Sequence, residues 1–489
     1  RMSDATAKPY ELRPVKFSRL ARRGVLMGLT APQLIALGTA ILTGVVTLYE
    51  WGFDALPWSA PIWLPAALIG LLRFGSRSAA EWVPILANWV IRRAARQTVH
   101  RVKLSKPRPA GTLALPGDAA SLRQYEDPAT GACFVHDPHE LTLTAVLSVG
   151  QPDPAFVLLD PVEQERRVAA WGRALSTVCR SGRIKHLQVL ERTLPDAGTG
   201  LADWWQQRGV QNDSWVSRTY ADLVHRAGPA GERHATTISI SLDMKAAARA
   251  IRTNGGGLKG AAAVLRQEMT TLDGALRTAE LRPEGWLSAA EVAVMLRTAY
   301  DPAVSATMER AKVLGRDLST AGPVAVEEHW ATIHTDSAWH AVLWISQWPQ
   351  SLVYPGFLAP VLLTGGMRRA FTILYRPVRH DEAARDIRKK KVEHLSDAAQ
   401  RAKIGQIDDI THKAEYDDVL QQESELASGH GVLRDIGLIA ISATTEDELE
   451  AAVAKIEQAA VQASLETRRL VAQQAQAFAV AALPLARPA

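Results

Sequence analysis

The chain of 489 residues holds two cysteines, Cys133 and Cys179, which form no C-x-x-C pair and no metal-ligand spacing. That excludes a disulfide framework and the small zinc modules, and it makes a reduced, cytoplasmic compartment the expectation. No G-x-x-x-x-G-K-[ST] occurs anywhere, which excludes a phosphate-loop nucleotidase. Glycine (33) and proline (26) stand at ordinary globular levels, so collagen-like and low-complexity classes are excluded. The net charge is only +5. With 47% apolar residues, the length accommodates roughly two to four domains, each able to bury a core.

The charge is uneven. Residues 1–110 carry 16 Lys and Arg against five acids, so the remainder of the chain is net acidic. This basic excess flanks the two most hydrophobic segments, which points to a membrane surface rather than to nucleic acid. Ala31 to Trp51 runs 21 residues with one charge, Glu50, at its far end, enough to span a bilayer core of ~30 Å. Ala55 to Leu72 is a second uncharged run of 18, with Pro57, Pro61 and Pro65. Three residues, Gly52 to Asp54, separate the two, so residues 31–74 read as a transmembrane hairpin. A signal peptide would have a shorter apolar run and no second run directly behind it. Lys and Arg crowd both outer flanks, including Arg22, Arg23 and Arg73, and are absent from the turn. Both termini are therefore expected in the cytoplasm, with Trp51, Trp58 and Trp63 in the outer aromatic belt. Residues 1–30 form the basic cytoplasmic N-terminus. Within residues 75–109, Trp82, Ile85, Leu86, Trp89 and Val90 recur at helical spacing before Arg92, Arg93 and Arg96, which reads as an amphipathic helix on an anionic inner leaflet. Lys103 to Pro116 reads as a Pro-rich linker.

Beyond the linker the expected class is α+β, in two blocks, 110–325 and 326–489. The first holds a hairpin (Ala132–His136, Leu141–Val149), helices at Val162–Arg180, Ser214–Arg226, Leu258–Glu280 and Ser288–Tyr300, and strands at Ile184–Glu191 and Thr236–Leu242. The second has strands near Ala331–Thr335, Trp339–Gln347 and Arg369–Tyr375, then a charged helical arm over residues 381–427. The arm's narrow apolar stripe runs Val392, Leu395, Ala399, Ala402, then Ile407, Ile410 and Ala414, with Gly405 between the two parts. Asp435–Ser442 reads as a strand, Thr445 and Glu448 open a capped helix, Glu466–Val471 is a strand and Ala472–Ala482 a helix.

Candidate chemistry is sparse. Asn254 to Gly260 is glycine-rich, but Lys259 lacks a following Ser or Thr to hold magnesium, so a helix lead-in is the simpler reading. Phe156 to Asp160 resembles a strand ending in an acidic residue and is read as a plain strand stopped by Pro161. His329, His334 and His340 lack a completing ligand spacing and read as structural. His136 and His139 bracket a turn. Arg388 to Lys391 reads as a solvated helix face beside Asp386 and Glu393. No catalytic, cofactor or metal residue emerges.

The segment Phe17-Ser18-Arg19-Leu20-Ala21-Arg22-Arg23-Gly24 through Ala31-Pro32-Gln33-Leu34, its hairpin, and Glu81 to Trp89 resemble the start of an actinobacterial family of conjugation membrane proteins. That family is similar to PrgI and TcpE, the two-helix inner-membrane subunits of type IV secretion. The remainder resembles the N-terminal, non-motor domain of TraC/TrbE/CagE-type conjugation ATPases. Its marks are Trp348-Pro349, Phe357-Leu358 then Arg369, Gly429 to Ser442, and Ala475-Gln476-Ala477-Phe478 followed by Leu483-Pro484-Leu485. The layout is also similar to EccE of type VII secretion. The resemblance implies ferredoxin-like α+β architecture and a structural, non-enzymatic inner-membrane subunit that oligomerises within a secretion complex. A separate hexameric ATPase and other inner-membrane subunits are its implied partners, with no cofactor. A membrane-tethered nucleic-acid binder is the alternative from another class, and direct nucleic-acid contact is not expected. The last helix, carrying Ala475, Phe478 and Ala482 on one face, is the candidate ATPase-docking surface, with packing on the terminal sheet as its rival.

Overall fold

The computed structural model describes residues 17, 29–74, 77–103, 105, 110–150, 155–195, 199–227, 232–305, 308, 318–404 and 410–488. Arg22, Arg23, Gly405 and Ile407 lie outside the described residues. Two compact units divide the chain, one of residues 19–98, the other of residues 1–18 and 99–489.

The smaller unit holds α1 (Ala31–Trp51), α2 (Leu56–Leu71), the short pair β1 (Arg73–Phe74) and β2 (Arg77–Ser78), and α3 (Ala79–Ala94). Thr30 and Gln33 interlock at the start of α1, and Pro32 sits in the first turn, where its missing N–H is harmless. The Gln33 amide donates to the Gly70 carbonyl (3.1 Å), joining the start of α1 to the end of α2. Gly70 is required there, because a Cβ would run into the Leu37 side chain. Elsewhere the pair faces outward with apolar groups, among them Ile35, Ile41, Leu42, Ile62 and Leu71. Only α1, among the described helices, is long and apolar enough to cross a membrane. With 16 residues α2 rises ~24 Å, short of a ~30 Å hydrocarbon core.

The larger unit is built on one 13-stranded, antiparallel sheet. Its strands are β3 (Val99–Arg101), β4 (Arg123–Glu126), β5 (Cys133–Asp137), β6 (Thr142–Gly150), β7 (Ile184–Pro195), β8 (Glu232–Asp243), β9 (Arg282–Trp286), β10 (Ala325–Glu328), β11 (Ile333–Thr335), β12 (Ala338–Gln347), β13 (Arg368–Val378), β14 (Val432–Ala443) and β15 (Glu466–Arg469). Between them come α4 (Pro161–Ser181), α5 (Thr199–Arg208), α6 (Trp215–Ala227), α7 (Ala248–Thr253), α8 (Gly257–Thr278), α9 (Ala289–Tyr300), α10 (Ala359–Leu362), α11 (His380–Ile404), α12 (Ile410–Ala427), α13 (Glu446–Gln462) and α14 (Gln474–Ala482).

The strand order reveals an internal duplication. β6-α4-β7-β8-α8-β9 is a split β-α-β arrangement in which β9, β6, β8 and β7 lie side by side in that order. β12-α10-β13-β14-α13-β15 repeats it, with β15, β12, β14 and β13 in the same succession. The first strand of each repeat closes a three-strand meander (β4-β5-β6, β10-β11-β12), and one helix, α9 or α14, follows each repeat. Each carries a helical pair between its second and third strands, α5–α6 or α11–α12. Both have a register shift where the fourth strand joins the first, at Ser148/Val149 and at Ile345/Gln347. The halves meet where β7 pairs antiparallel with β13, Val189 opposite Ile373. The two expected blocks therefore correspond to the two repeats, the second opening with β10 at Ala325, but they share one sheet within a single compact unit.

Side chains alternate across this sheet. One face carries Leu143, Leu187 and Ile240 under α4 and α8 in the first half, and Leu343, Ile439 and Ile441 under α13 in the second. The other face packs α9 and α14 on Val146, Leu190, Val342 and Leu438. Leu113 and Leu115 belong to that second core and are fully buried. The expected linker therefore ends before residue 110; its far half is tied down by the Leu113 N–H to the Leu122 carbonyl and the Gln124 N–H to the Gly111 carbonyl. Phe156–Leu158 is a single 3-10 turn rather than a strand, and Asp160 caps α4 by accepting from the N–H groups of Val162 and Glu163. The glycine-rich stretch at 254–260 is the corner between α7 and α8. Gly260 lets the two backbones touch, since a Cβ there would meet the Ile251 carbonyl oxygen, while Lys259 is exposed.

Candidate functional site: a cation-lined cleft and two helical hairpins

Arg368 and Arg369 open β13 on opposite faces of the sheet. Arg369 is buried, and both of its terminal guanidinium nitrogens are engaged. It donates through Nη1 to the Thr364 carbonyl (3.0 Å), and through Nη2 to Thr193 Oγ1 (2.8 Å) and the Leu362 carbonyl. Burial lowers its pKa, while Glu191 and Glu232 act in the opposite sense. Glu191 itself bonds His234 Nδ1 (2.5 Å) and accepts from Thr193 Oγ1 (3.3 Å), so this network clamps β7, β8 and β13 together.

Arg368 stands differently. Half-buried, it donates through Nη1 to Ser305 Oγ (3.3 Å). Burial lowers its pKa, and no neighbouring carboxylate opposes that shift. It lines a cleft of about 650 Å³ at the end of the sheet where β13 begins and β14 finishes. Pro302, Ala303, Ala443 and Ala452 supply apolar walls, and Ser337, Thr444 and Lys455 supply polar ones.

The three histidines near β10–β12 have protein partners. His340 is buried between Thr335 Oγ1 (2.6 Å) and Ser442 Oγ (2.7 Å). His329 stacks on Trp339, and His334 meets the same ring at a tilt. The basic run at 388–391 is a solvated face, with Lys391 paired to Glu423 (2.7 Å).

The sequence-predicted interface residues separate into groups. Trp51 (69% exposed) and Trp58 (88%) project beside the turn between α1 and α2, and Arg73 and Arg93 are exposed. Trp63, Trp82 and Arg92 are half-buried. Trp89 is a correction. It is buried as α3 packs on α1 and α2, and the outward apolar groups of α3 are Val83, Leu86, Val90 and Ile91.

The expected docking face on α14 is the second correction. Phe478 is 1% exposed, its ring 5.3 Å from Tyr300 and 4.4 Å from His340; Ala482 is buried and Ala475 half-buried. Beyond α14 the Leu483-Pro484-Leu485 segment is pinned to the sheet by polar groups that hydrophobic patterning overlooks. Gln188 Nε2 donates to the carbonyls of Val480 and Leu483 (both 3.0 Å), Ser239 Oγ to Pro484 (2.9 Å) and Thr372 Oγ1 to Ala481 (2.7 Å).

The inserted hairpins are among the places where apolar groups face solvent. On α5–α6, Trp205 and Tyr220 pack at a tilt (4.7 Å) and hold the helices together, leaving Trp215 (73% exposed), Val216 and Leu223 outward. On α11–α12 the expected stripe is described only at Val392 and Leu395; the side chains of Ala399, Ala402, Ile410 and Ala414 lie outside the described residues. Ala383, Ile387, Val419 and Leu426 form the core of the pair, and Val392 and Leu395 are exposed. No protein-family model matches the chain, and no curated protein sequence matches it.

Proposed function

We propose that this protein is a structural inner-membrane subunit of a conjugative, type IV-like secretion machine, joining a two-pass membrane hairpin to a cytosolic platform on which a separate ATPase docks. The observation that carries the topology is a contact of Phe17. Its ring stacks on Trp348 (5.4 Å) and meets Phe357 edge-on (5.5 Å), so a residue preceding α1 packs on the unit that follows α3. A residue before the hairpin and a domain after it then share one compartment, which requires an even number of crossings between them. With α1 as one crossing, α2 is the other, its short span offset by snorkelling flanks and local thinning. The strand order of each half is that of the ferredoxin-like fold, which supports the platform reading.

The exposed hairpins are the docking surfaces in this reading, replacing the face of α14. Large apolar groups held on rigid helices are the usual anchors of a protein interface. Two experiments test the proposal. In spheroplasts, a cysteine placed at Asp54 reacts with an impermeant maleimide and one at Arg101 does not; labelling at Arg101 refutes the two-pass arrangement. For docking, Trp215→Ala with Val216→Ala leaves the melting temperature within about 1 °C but weakens co-purification of the ATPase from detergent extracts at least tenfold, the effect of losing ~1.4 kcal/mol or more. Unchanged co-purification removes this hairpin from the interface.

A further inference from the structure

Beyond the scaffold role, we infer that the cleft at Arg368 is a binding site for a small molecule bearing a phosphate or carboxylate group. The argument starts from charge accounting. Every carboxylate around the cleft is engaged by protein donors. Glu232 accepts from the Gly366 N–H (2.5 Å) and Glu448 from Thr444 Oγ1 (2.5 Å). Asp301 and Asp336 share Arg297 (2.7 and 2.9 Å). Among the described residues Arg368 has a serine hydroxyl as its one partner, at 3.3 Å, and no carboxylate within ion-pairing distance. A guanidinium carries five N–H donors, so most of its fork is left without a protein acceptor. Withdrawing a cation from water without a counter-charge is costly, and such groups concentrate where a ligand supplies the missing charge.

Geometry adds the second part. Arg368 sits in a cleft of about 650 Å³, within the range of small-molecule sites. Lys455 lies on the same lining, its ammonium held by the Gly365 carbonyl (2.8 Å) with further N–H donors beyond that bond, whereas the hydroxyl protons of Thr444 and Ser337 are committed to Glu448 and Asp301. Ala303, Ala443 and Ala452 keep the walls small and apolar, suiting the body of an organic anion. Guanidinium pairs with phosphate or carboxylate through parallel N–H···O bonds, a match that chloride cannot make. The site falls at the junction of the two repeats, because Glu232 comes from β8 and Arg368 from β13. The first half offers no counterpart: β7 opens with Ile184 and Lys185, and Lys185 is paired to Glu140.

The test follows thermal unfolding of the full-length protein in detergent by intrinsic tryptophan fluorescence, with sodium pyrophosphate or citrate added at constant ionic strength against sodium chloride. The parent gains a saturable ~3–5 °C at a hundredfold excess of the preferred anion over its Kd. Arg368→Met loses that gain and, relieved of an uncompensated charge, melts at least as high as the parent in chloride alone. Arg368→Gln, which keeps a donor toward Ser305, serves if the Met variant misfolds, and it too loses the gain. Lys259→Met, an exposed change elsewhere, retains it. A response to pyrophosphate alone assigns a phosphate ligand, and a response to citrate assigns a carboxylate. The inference is overturned if neither anion raises the melting temperature beyond chloride, or if the Arg368 variants keep the full gain.

Discussion

Phe478→Ala lowers the stability of the larger unit by about 3–5 kcal/mol, measured as a shift in the urea midpoint of the detergent-solubilised protein. The ring is fully enclosed, contacts Tyr300 and His340, and lies in the core that joins α9 of the first repeat to α14 of the second. Removing it leaves a cavity that the sheet below cannot readily close, because Gln188, Thr372 and Ser239 fix the backbone carbonyls that follow it. Phe478→Leu refills part of the volume and costs about a third to a half as much. ATPase retention falls in these variants only in proportion to the folded fraction. A variant that melts like the parent yet loses the ATPase would return Phe478 to an interface.

The same residue explains what could be read from the chain alone. Spacing places Ala475, Phe478 and Ala482 on one helical face, but a face is equally apolar whether it covers the protein's own sheet or a partner's. The deciding contacts, Tyr300 and His340, lie more than a hundred residues away. Individual strands and helices were legible because each has its own period: the alternation in β8 and β14 and the Thr445 cap of α13 are local features. The pairing of β7 with β13 is not local; it spans about 180 residues, and nothing in either strand names its neighbour. Leu113 and Leu115 resembled linker because prolines surround them, although two leucines with a gap of one are also the inward positions of an extended segment. Arg368 was invisible as a site. In the sequence it is one of two arginines at the start of a strand, and only the folded environment distinguishes Arg369, with its three acceptor contacts, from a neighbour left with one weak bond.

Acidification from pH 7 to pH 4.5 destabilises the protein, with a slope approaching ~3 kcal/mol per pH unit at its steepest from two histidines. His340 is held neutral by burial, which pushes its pKa down to about 3, with His334 adding to the shift. His186 is pushed down to about 4, again chiefly by burial, with Lys185 and Arg376 contributing. Both groups are bases whose native pKa lies below the ordinary 6.5. Below pH 6.5 the unfolded chain therefore takes up two protons that the native protein refuses until about pH 4. Proton uptake on unfolding means that stability rises with pH across this window and is lost as pH falls through it. The hydrogen bonds give the physical reason at His340. Thr335 Oγ1 donates to the Tyr300 carbonyl, so the neutral ring donates Nε2–H to Thr335 and accepts at Nδ1 from Ser442 Oγ, and both ring nitrogens are satisfied without a second proton. Carboxylates held low by partners, such as Glu140 beside Lys185, act below about pH 4.5, and Asp435, raised by burial, acts in the opposite sense, so the upper window belongs to the histidines. His340→Gln, which preserves one donor and one acceptor, removes a large part of the slope between pH 6.5 and 5. His340→Gln with His186→Gln leaves only the smaller contribution of groups such as His136, whose pKa burial also lowers. An unchanged slope in the double variant would assign the acid sensitivity to other groups and would mean that neither imidazole is held neutral by burial.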